Sequence, residues 1–231
     1  MISRPLARTF VGLAALGAAV LGAFVYDRLH RAAPAAAQAR TVPSAALPGP
    51  VIRSEVATDA IPTQRPVFSL PDAAGKVHSI GEWDGKALIV NFWATWCAPC
   101  RREIPLLARI RSEYAPKGVE VVGIAVDVPA EVKSFLMDHP IAYPVLVGEQ
   151  SGIDVARDFG VDAQVFPFTA FTDSRGRIIT IHVGELHEAM TRAILGVVLK
   201  VDAGALTPTE ARAAIKTALA ALPETDKPSG G

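Results

Sequence analysis

At 231 residues the chain is long enough for one domain with extensions. Half of its residues are hydrophobic, which is ample for a packed core, and 23 basic side chains balance 23 acidic ones. With no basic block or stripe, nucleic acid is excluded as an expected partner. Only two cysteines occur, three positions apart, which excludes a framework of structural disulfides.

Phe10 to Tyr26 is an uncharged run of 17 residues, with Arg4 and Arg8 before it and Asp27, Arg28 and Arg31 after it. That is the short end of the ~17–25 residues that cross a bilayer as a helix. Ala37-Gln38-Ala39 has the small-x-small form of a signal cleavage site, but Arg28, His30 and Arg31 separate it from the apolar run. An uncleaved anchor in residues 1–31 is therefore the expectation over a cleaved signal. Either way the remainder lies outside the cytoplasm. Residues 32–65 hold ten alanines and five prolines with no apolar period, and read as an extended, semi-rigid linker.

A domain over residues 66–202 follows. Val67–Leu70 and Val77–Ile80 flank Asp72-Ala-Ala-Gly75 and predict a short hairpin. Ala87–Trp93 is a nearly continuous apolar run, as expected of a central strand covered on both faces. Ala98–Tyr114 has helical spacing, with Ile104, Leu107, Ile110 and Tyr114 along one side, and Pro116 and Gly118 end it. Val119–Val126 predicts a second buried strand and Pro129–Asp138 a helix opened by proline. Pro144–Val147 predicts a short strand and Ile153–Phe159 a short helix; no motif with a chemical role lies in Val147–Gly160. Phe168–Asp173 and Arg177–Val183 form a hairpin around Ser174-Arg175-Gly176, and a helix runs from Glu185 to about Val201. Residues 203–231 add a helix over Thr207–Ala221, opened by a capping box with proline at its first position, and a polar tail from Pro223. Alternating strands and helices closed by a hairpin describe an α/β fold.

The cysteines stand in Trp96-Cys97-Ala98-Pro99-Cys100, between the predicted central strand and the next helix. That placement suits thiol–disulfide exchange. Backbone N–H groups at a helix start stabilise a thiolate on the first cysteine, and the second, one turn on, can close a disulfide and release a trapped substrate. Zinc would need about four ligands, and neither a second cysteine pair nor a His-x-x-x-His is present. His30, His78, His139, His182 and His187 have no ligand spacing to one another or to the cysteines, and read as solvated or core histidines.

The stretch Asn91-Phe-Trp-Ala-Thr-Trp-Cys-Ala-Pro-Cys-Arg-Arg-Glu-Ile-Pro105 resembles the thioredoxin superfamily, and within it the membrane-anchored TlpA/ResA group of disulfide reductases. The likeness spans roughly residues 65–200. Gly85-Lys86 ahead of the central strand and the Asp-x-x-Gly turn of the final hairpin fit as well. It implies a thioredoxin-like α/β fold, a central mixed sheet flanked by helices, with an N-terminal membrane segment and an extra C-terminal helix. It further implies an exposed nucleophile at Cys97, a resolving thiol at Cys100 and a proton-handling carboxylate at Glu103, one turn further on. Trp96, Pro99, Phe166 and a cis-proline at Pro167 would contact substrate, with Pro140 and Pro144 as competing prolines. Phe166 is bulkier than the residue usual at its position. Pro105 would be the family's helix-kinking proline.

The chemistry so implied needs no cofactor and no metal. Its partners would be disulfide-bearing proteins of cytochrome c or copper-site assembly and a membrane-embedded thiol donor. Residues 10–26 would hold the protein in the bacterial inner membrane as a single pass, with the catalytic domain in the periplasm. Three rivals compete. A disulfide oxidase or isomerase on the same fold differs only in potential, which spans ~150 mV between thioredoxin and its strongly oxidising relatives. A Cu(I)-binding assembly module would use the same two thiols. A peroxidase of the peroxiredoxin type would place threonine or serine, and proline, where Ala94 and Val90 stand, and is discounted.

Overall fold

The computed structural model describes residues 62–161 and 165–223. The expected anchor at 10–26, most of the linker and the tail beyond residue 223 lie outside the described residues. Among the described residues no helix is long and apolar enough to cross a membrane.

The central sheet has five strands in the order β5-β4-β3-β6-β7. They are β3 (Ala87–Trp93), β4 (Val119–Ala125), β5 (Val145–Val147), β6 (Phe168–Thr172) and β7 (Ile178–Val183). β3 runs parallel to β4, β4 parallel to β5, and the closing hairpin of β6 and β7 runs antiparallel beside β3. Every residue of β3 and of β4 is buried, as strands covered on both faces must be. Because strand side chains alternate, Ala87, Ile89, Asn91 and Trp93 share one face, and Leu88, Val90 and Phe92 the other. The first face packs under α1 (Ala98–Tyr114), α2 (Pro129–Asp138), α4 (Glu188–Asp202) and α5 (Pro208–Ala220). The second is covered by α3 (Gln150–Asp158) and by the small antiparallel hairpin of β1 (Ser69–Pro71) and β2 (Val77–Ser79). This is the mixed-sheet α/β architecture the sequence predicts.

Several boundaries differ from the sequence reading. Ile80 leaves the first hairpin for a 3-10 turn over Ile80–Trp83, because Ser79 and Glu82 close a capping box there. Residues 62–65, assigned to the linker by composition, belong to the fold: Ile178 N donates to Thr63 O at 3.0 Å and Arg65 N to Gly176 O at 2.8 Å. They pair with backbone at the start of β7, a contact no local pattern encodes. α4 begins at Glu188 rather than Glu185, since the backbone N–H of Leu186 is directed to the side chain of Glu103. The capping box of α5 forms as predicted between Thr207 and Glu210. Its Ala211 and Ile215 are buried, and Arg212 donates to the carbonyl oxygens of Ile178 and Ile179. The C-terminal helix thus seals part of the edge strand β7.

Candidate active site

The apolar run of β3 delivers Trp93 to the carboxyl edge of the sheet, where sites in open α/β sheets collect. The chain then turns through Ala94–Trp96 into α1. Asp127, at the end of β4, fixes this turn by accepting from Thr95 N at 2.9 Å and from Thr95 Oγ1 at 2.6 Å. Cys97 is the N-cap of α1, with extended backbone, and Pro99 lies in the first helical turn. Cys97 Sγ accepts from the backbone N–H of Cys100 at 3.3 Å. An unsatisfied helix N-terminus therefore points at this sulfur and favours negative charge on it.

Cys97 and Cys100 are joined in a disulfide, with Cα atoms 5.3 Å apart. Cys100 is wholly covered and Cys97 is 5% exposed. The expectation of an openly exposed nucleophile is corrected in this oxidised form, in which Cys97 is only the more accessible of two buried sulfurs. The bond ties its side chain back against the buried Cys100 at the head of α1.

Glu103 lies one turn beyond Cys100 on the inner side of α1 and is 1% exposed. Two donors hold its carboxylate: Asn91 Nδ2 reaches Oε1 at 2.7 Å and Leu186 N reaches Oε2 at 2.7 Å. Asn91 Nδ2 also donates to Thr169 Oγ1 at 3.0 Å. Burial raises the carboxyl from its ordinary 4.5 to about 7, against the two donors that hold it down, and the nearby Glu185 adds to the rise. A glutamate solvated on the helix surface, the plainer expectation for this residue type, is not what the fold builds. The group can give or take a proton near neutrality.

Trp96 is 67% exposed and sets its ring edge-on to that of Phe166, centroids 6.2 Å apart. The peptide bond between Phe166 and Pro167 is cis, and Pro140 and Pro144 have no such bond. Pro167 is buried and its carbonyl accepts from Gly184 N at 2.8 Å. The contact of Trp96 with Phe166 makes the cysteine turn and the cis-proline turn neighbours, with apolar side chains on the rim. A groove of about 390 Å³ runs along α1, lined by Arg101, Ile104, Pro105, Phe135, His139 and Ile141 among others, and none of the rim residues lines it.

Sequence reasoning gave no role to Asn91, Leu186, Thr95 or Asp127. Asn91 carried a signal, being the polar residue inside an otherwise apolar run that the period of two sends to the α1 face. Leu186 carried none, since it acts through its backbone and lies 83 positions from Glu103.

Residues 61–181 match the family model of the AhpC/TSA family. Over 127 residues the chain is 35% identical to the thioredoxin-like protein YneN of Bacillus subtilis, covering 53% of this chain and 71% of that one. Over 128 residues it is 30% identical to the thiol-disulfide oxidoreductase ResA of Geobacillus thermodenitrificans, covering 55% and 71%. Among solved structures it is similar to a thiol:disulfide interchange protein of the thioredoxin family from Chlorobium tepidum. That likeness has a TM-score of 0.53 and 34% identity, over 60% of this chain and 97% of that one. A secreted thiol-disulfide isomerase from Corynebacterium glutamicum is similar with a TM-score of 0.53 and 26% identity, over 61% and 86%. With a Cys-x-x-Cys pair at the head of α1 on this fold, the chain belongs to the AhpC/TSA family, as a thioredoxin-like thiol–disulfide oxidoreductase.

Proposed function

We propose that the protein reduces disulfides in other proteins on the periplasmic side of a bacterial inner membrane, held there by residues 10–26. The observation that carries this reading is Glu103: a buried carboxyl, ionising at about 7, one turn from the buried Cys100. A resolving thiol with no access to solvent needs an internal proton acceptor, and Glu103 is suited to be one.

In the dithiol form, Cys97 thiolate attacks a substrate disulfide. A Cys97–substrate bond forms, the substrate S–S bond breaks, and one substrate sulfur leaves as thiolate. Cys100 then loses its proton to the Glu103 carboxylate and attacks Cys97 Sγ. The Cys97–Cys100 bond forms and the second substrate sulfur leaves. Two electrons have passed to the substrate, and the protein is left in the disulfide form described above. Glu103 must lose its proton, and a dithiol donor must return two electrons, before the next cycle. A membrane-embedded thiol carrier is the donor that the anchor at residues 10–26 would bring within reach. Trp96, Phe166 and the cis-proline turn form an apolar rim beside the sulfur, on which an unfolded or loosely folded segment could lie. This fits substrates such as apocytochrome c or copper-site assembly proteins, whose cysteines must be reduced before they are filled.

The test is trapping in membranes with Cys100→Ser. Mixed disulfides are expected to accumulate on Cys97 with thiol proteins of cytochrome or copper-site assembly and with a membrane dithiol carrier. Equal trapping by Cys97→Ser would overturn the assignment of the nucleophile. An equilibrium potential with glutathione as oxidising as that of the dedicated disulfide-forming enzymes would reverse the direction of exchange.

A further inference from the structure

The segment Gly184–His187 connects β7 to α4 without regular structure, and it is held at three points. Gly184 N donates to Pro167 O at 2.8 Å, behind the cis bond, with Gly184 at φ +111°, a conformation that a side chain resists. Leu186 N donates to Glu103 Oε2 at 2.7 Å. The carboxylate of Glu185 takes the guanidinium of Arg102 side-on: Nε lies 2.9 Å from Oε1 and 3.0 Å from Oε2, and Nη2 also bonds Oε2. Arg102 and Glu103 are consecutive on α1. The first grips this segment from the surface, and the second accepts its N–H in the interior.

We infer that Arg102 and Glu185 form a clamp that positions the Leu186 N–H against Glu103 for the transfer of the proton from Cys100. The inference rests on the proposed role of Glu103 as proton acceptor. Arg102 is 61% exposed at its side chain but Glu185 only 18%, so the pair bridges solvent and the covered loop. An isolated surface ion pair does little. This one differs in what its loss would do. Without Arg102 the loop is anchored on α1 through the Leu186 N–H alone, and the Glu185 charge faces Glu103 without a cation on it.

Both consequences have the same sign. A carboxylate that loses an N–H donor ionises at higher pH, and so does one beside an unpaired like charge. The other titratable groups around Glu103 do not reverse this. Cys100 is locked in the disulfide. Tyr143, in the segment before β5, feels the Glu103 charge, and burial keeps its phenol protonated. Burial lowers His182 on β7 from the ordinary imidazole value, and His187 lies at the start of α4.

The experiment is an NMR titration of Glu103 in the disulfide form, using protein labelled with 13C at the glutamate carboxyl carbon. Arg102→Met removes the guanidinium and keeps an unbranched helix-forming stem. The midpoint of Glu103 is expected to move up from about 7 by roughly half a pH unit or more. Arg102→Lys should recover part of the shift, because an ammonium offers a point charge in place of the side-on fork. Arg109→Met, which breaks the exposed pair with Glu188 on the same helix, should leave the midpoint where it was. A midpoint in Arg102→Met equal to that of the unaltered protein overturns the clamp, and so does a shift of the same size in Arg109→Met. Arg102→Gln gives the same decision if the Met variant folds poorly. The pH profile of mixed-disulfide resolution, measured alongside, should shift with the midpoint. A moved midpoint with an unmoved profile upholds the clamp and instead removes Glu103 as the acceptor for Cys100.

Discussion

Replacing Glu103 by Gln isolates the energetic consequence of burying a carboxyl under the disulfide. In the folded, oxidised protein Glu103 ionises at about 7, against an ordinary value of 4.5. Below 4.5 it is protonated in both states and contributes no pH dependence. As the pH rises past 4.5 the unfolded chain gives up this proton while the folded protein keeps it, so the unfolded state binds fewer protons and stability falls. The loss continues until the folded carboxyl ionises near 7 and is constant beyond. At about 1.4 kcal/mol per pH unit, the total is roughly 3 kcal/mol. Gln is never charged and has no such slope. It also presents one acceptor to two donors, Asn91 Nδ2 and Leu186 N, which costs about 1–3 kcal/mol at every pH. This constant offset does not affect the slope. The assay is urea unfolding of both oxidised proteins between about pH 4 and about pH 8, where the difference in unfolding free energy is expected to change by roughly 3 kcal/mol in favour of the variant. Other carboxylates, such as Glu120 held low by Arg111 and Lys86, titrate alike in both proteins and cancel. A difference that stays flat across this window would show that Glu103 ionises like an ordinary surface carboxylate.

Asn91→Leu removes one donor from Glu103 and also the Asn91 Oδ1 atom, which is buried without a partner. The Glu103 midpoint should rise above about 7, and stability at neutral pH should fall by about 1–2 kcal/mol in denaturant titrations. Gly123→Ala would place a methyl group 3.1 Å from Trp93 Nε1 and 3.1 Å from Tyr143 Cε2 in the packed layer beside Asn91. A loss of about 1–3 kcal/mol is expected, read as a lower midpoint of thermal unfolding. Trp96→Ala removes an exposed ring and should change stability by no more than about 0.5 kcal/mol. Its effect should appear as a several-fold higher KM for protein disulfides with unchanged reduction of a small aromatic disulfide. Equal losses on both substrates would mean that the ring shapes the cysteine turn rather than the substrate surface.

What the sequence disclosed follows the range of the interactions involved. β3 was legible because its seven consecutive buried residues leave a run that is apolar apart from Asn91, and α1 because its apolar positions recur at helical spacing. The box opening α5 was legible because its reciprocal bonds link residues three apart. The disulfide belongs to the same class, with its partners one helical turn from each other. Contacts between distant residues were not legible. The pairing of Thr63 with Ile178 gives no local pattern, and neither does the donation of the Gly184 N–H to the Pro167 carbonyl. The near-complete cover of Cys97 depends on elements drawn from the whole chain, so a motif that fixes its chemistry leaves its exposure open.

Glu103 shows where these two kinds of information meet. Helical spacing from Cys100 places it on the inner side of α1, and that much is local. Its ionisation depends on Asn91, Glu185 and Leu186, two of which lie across the fold, and on the register that sets Asn91 between Gly123 and Thr169. Asn91 can reach Glu103 because its neighbour on β4 is a glycine and its neighbour on β6 a threonine whose hydroxyl accepts the second amide hydrogen. A bulkier residue at 123 would crowd Trp93 and Tyr143, and an apolar one at 169 would leave that hydrogen unpaired in the interior. The short polar row across the sheet is thus what allows a carboxylate to sit beneath the disulfide and titrate near neutral pH, and three strands must agree in register to build it.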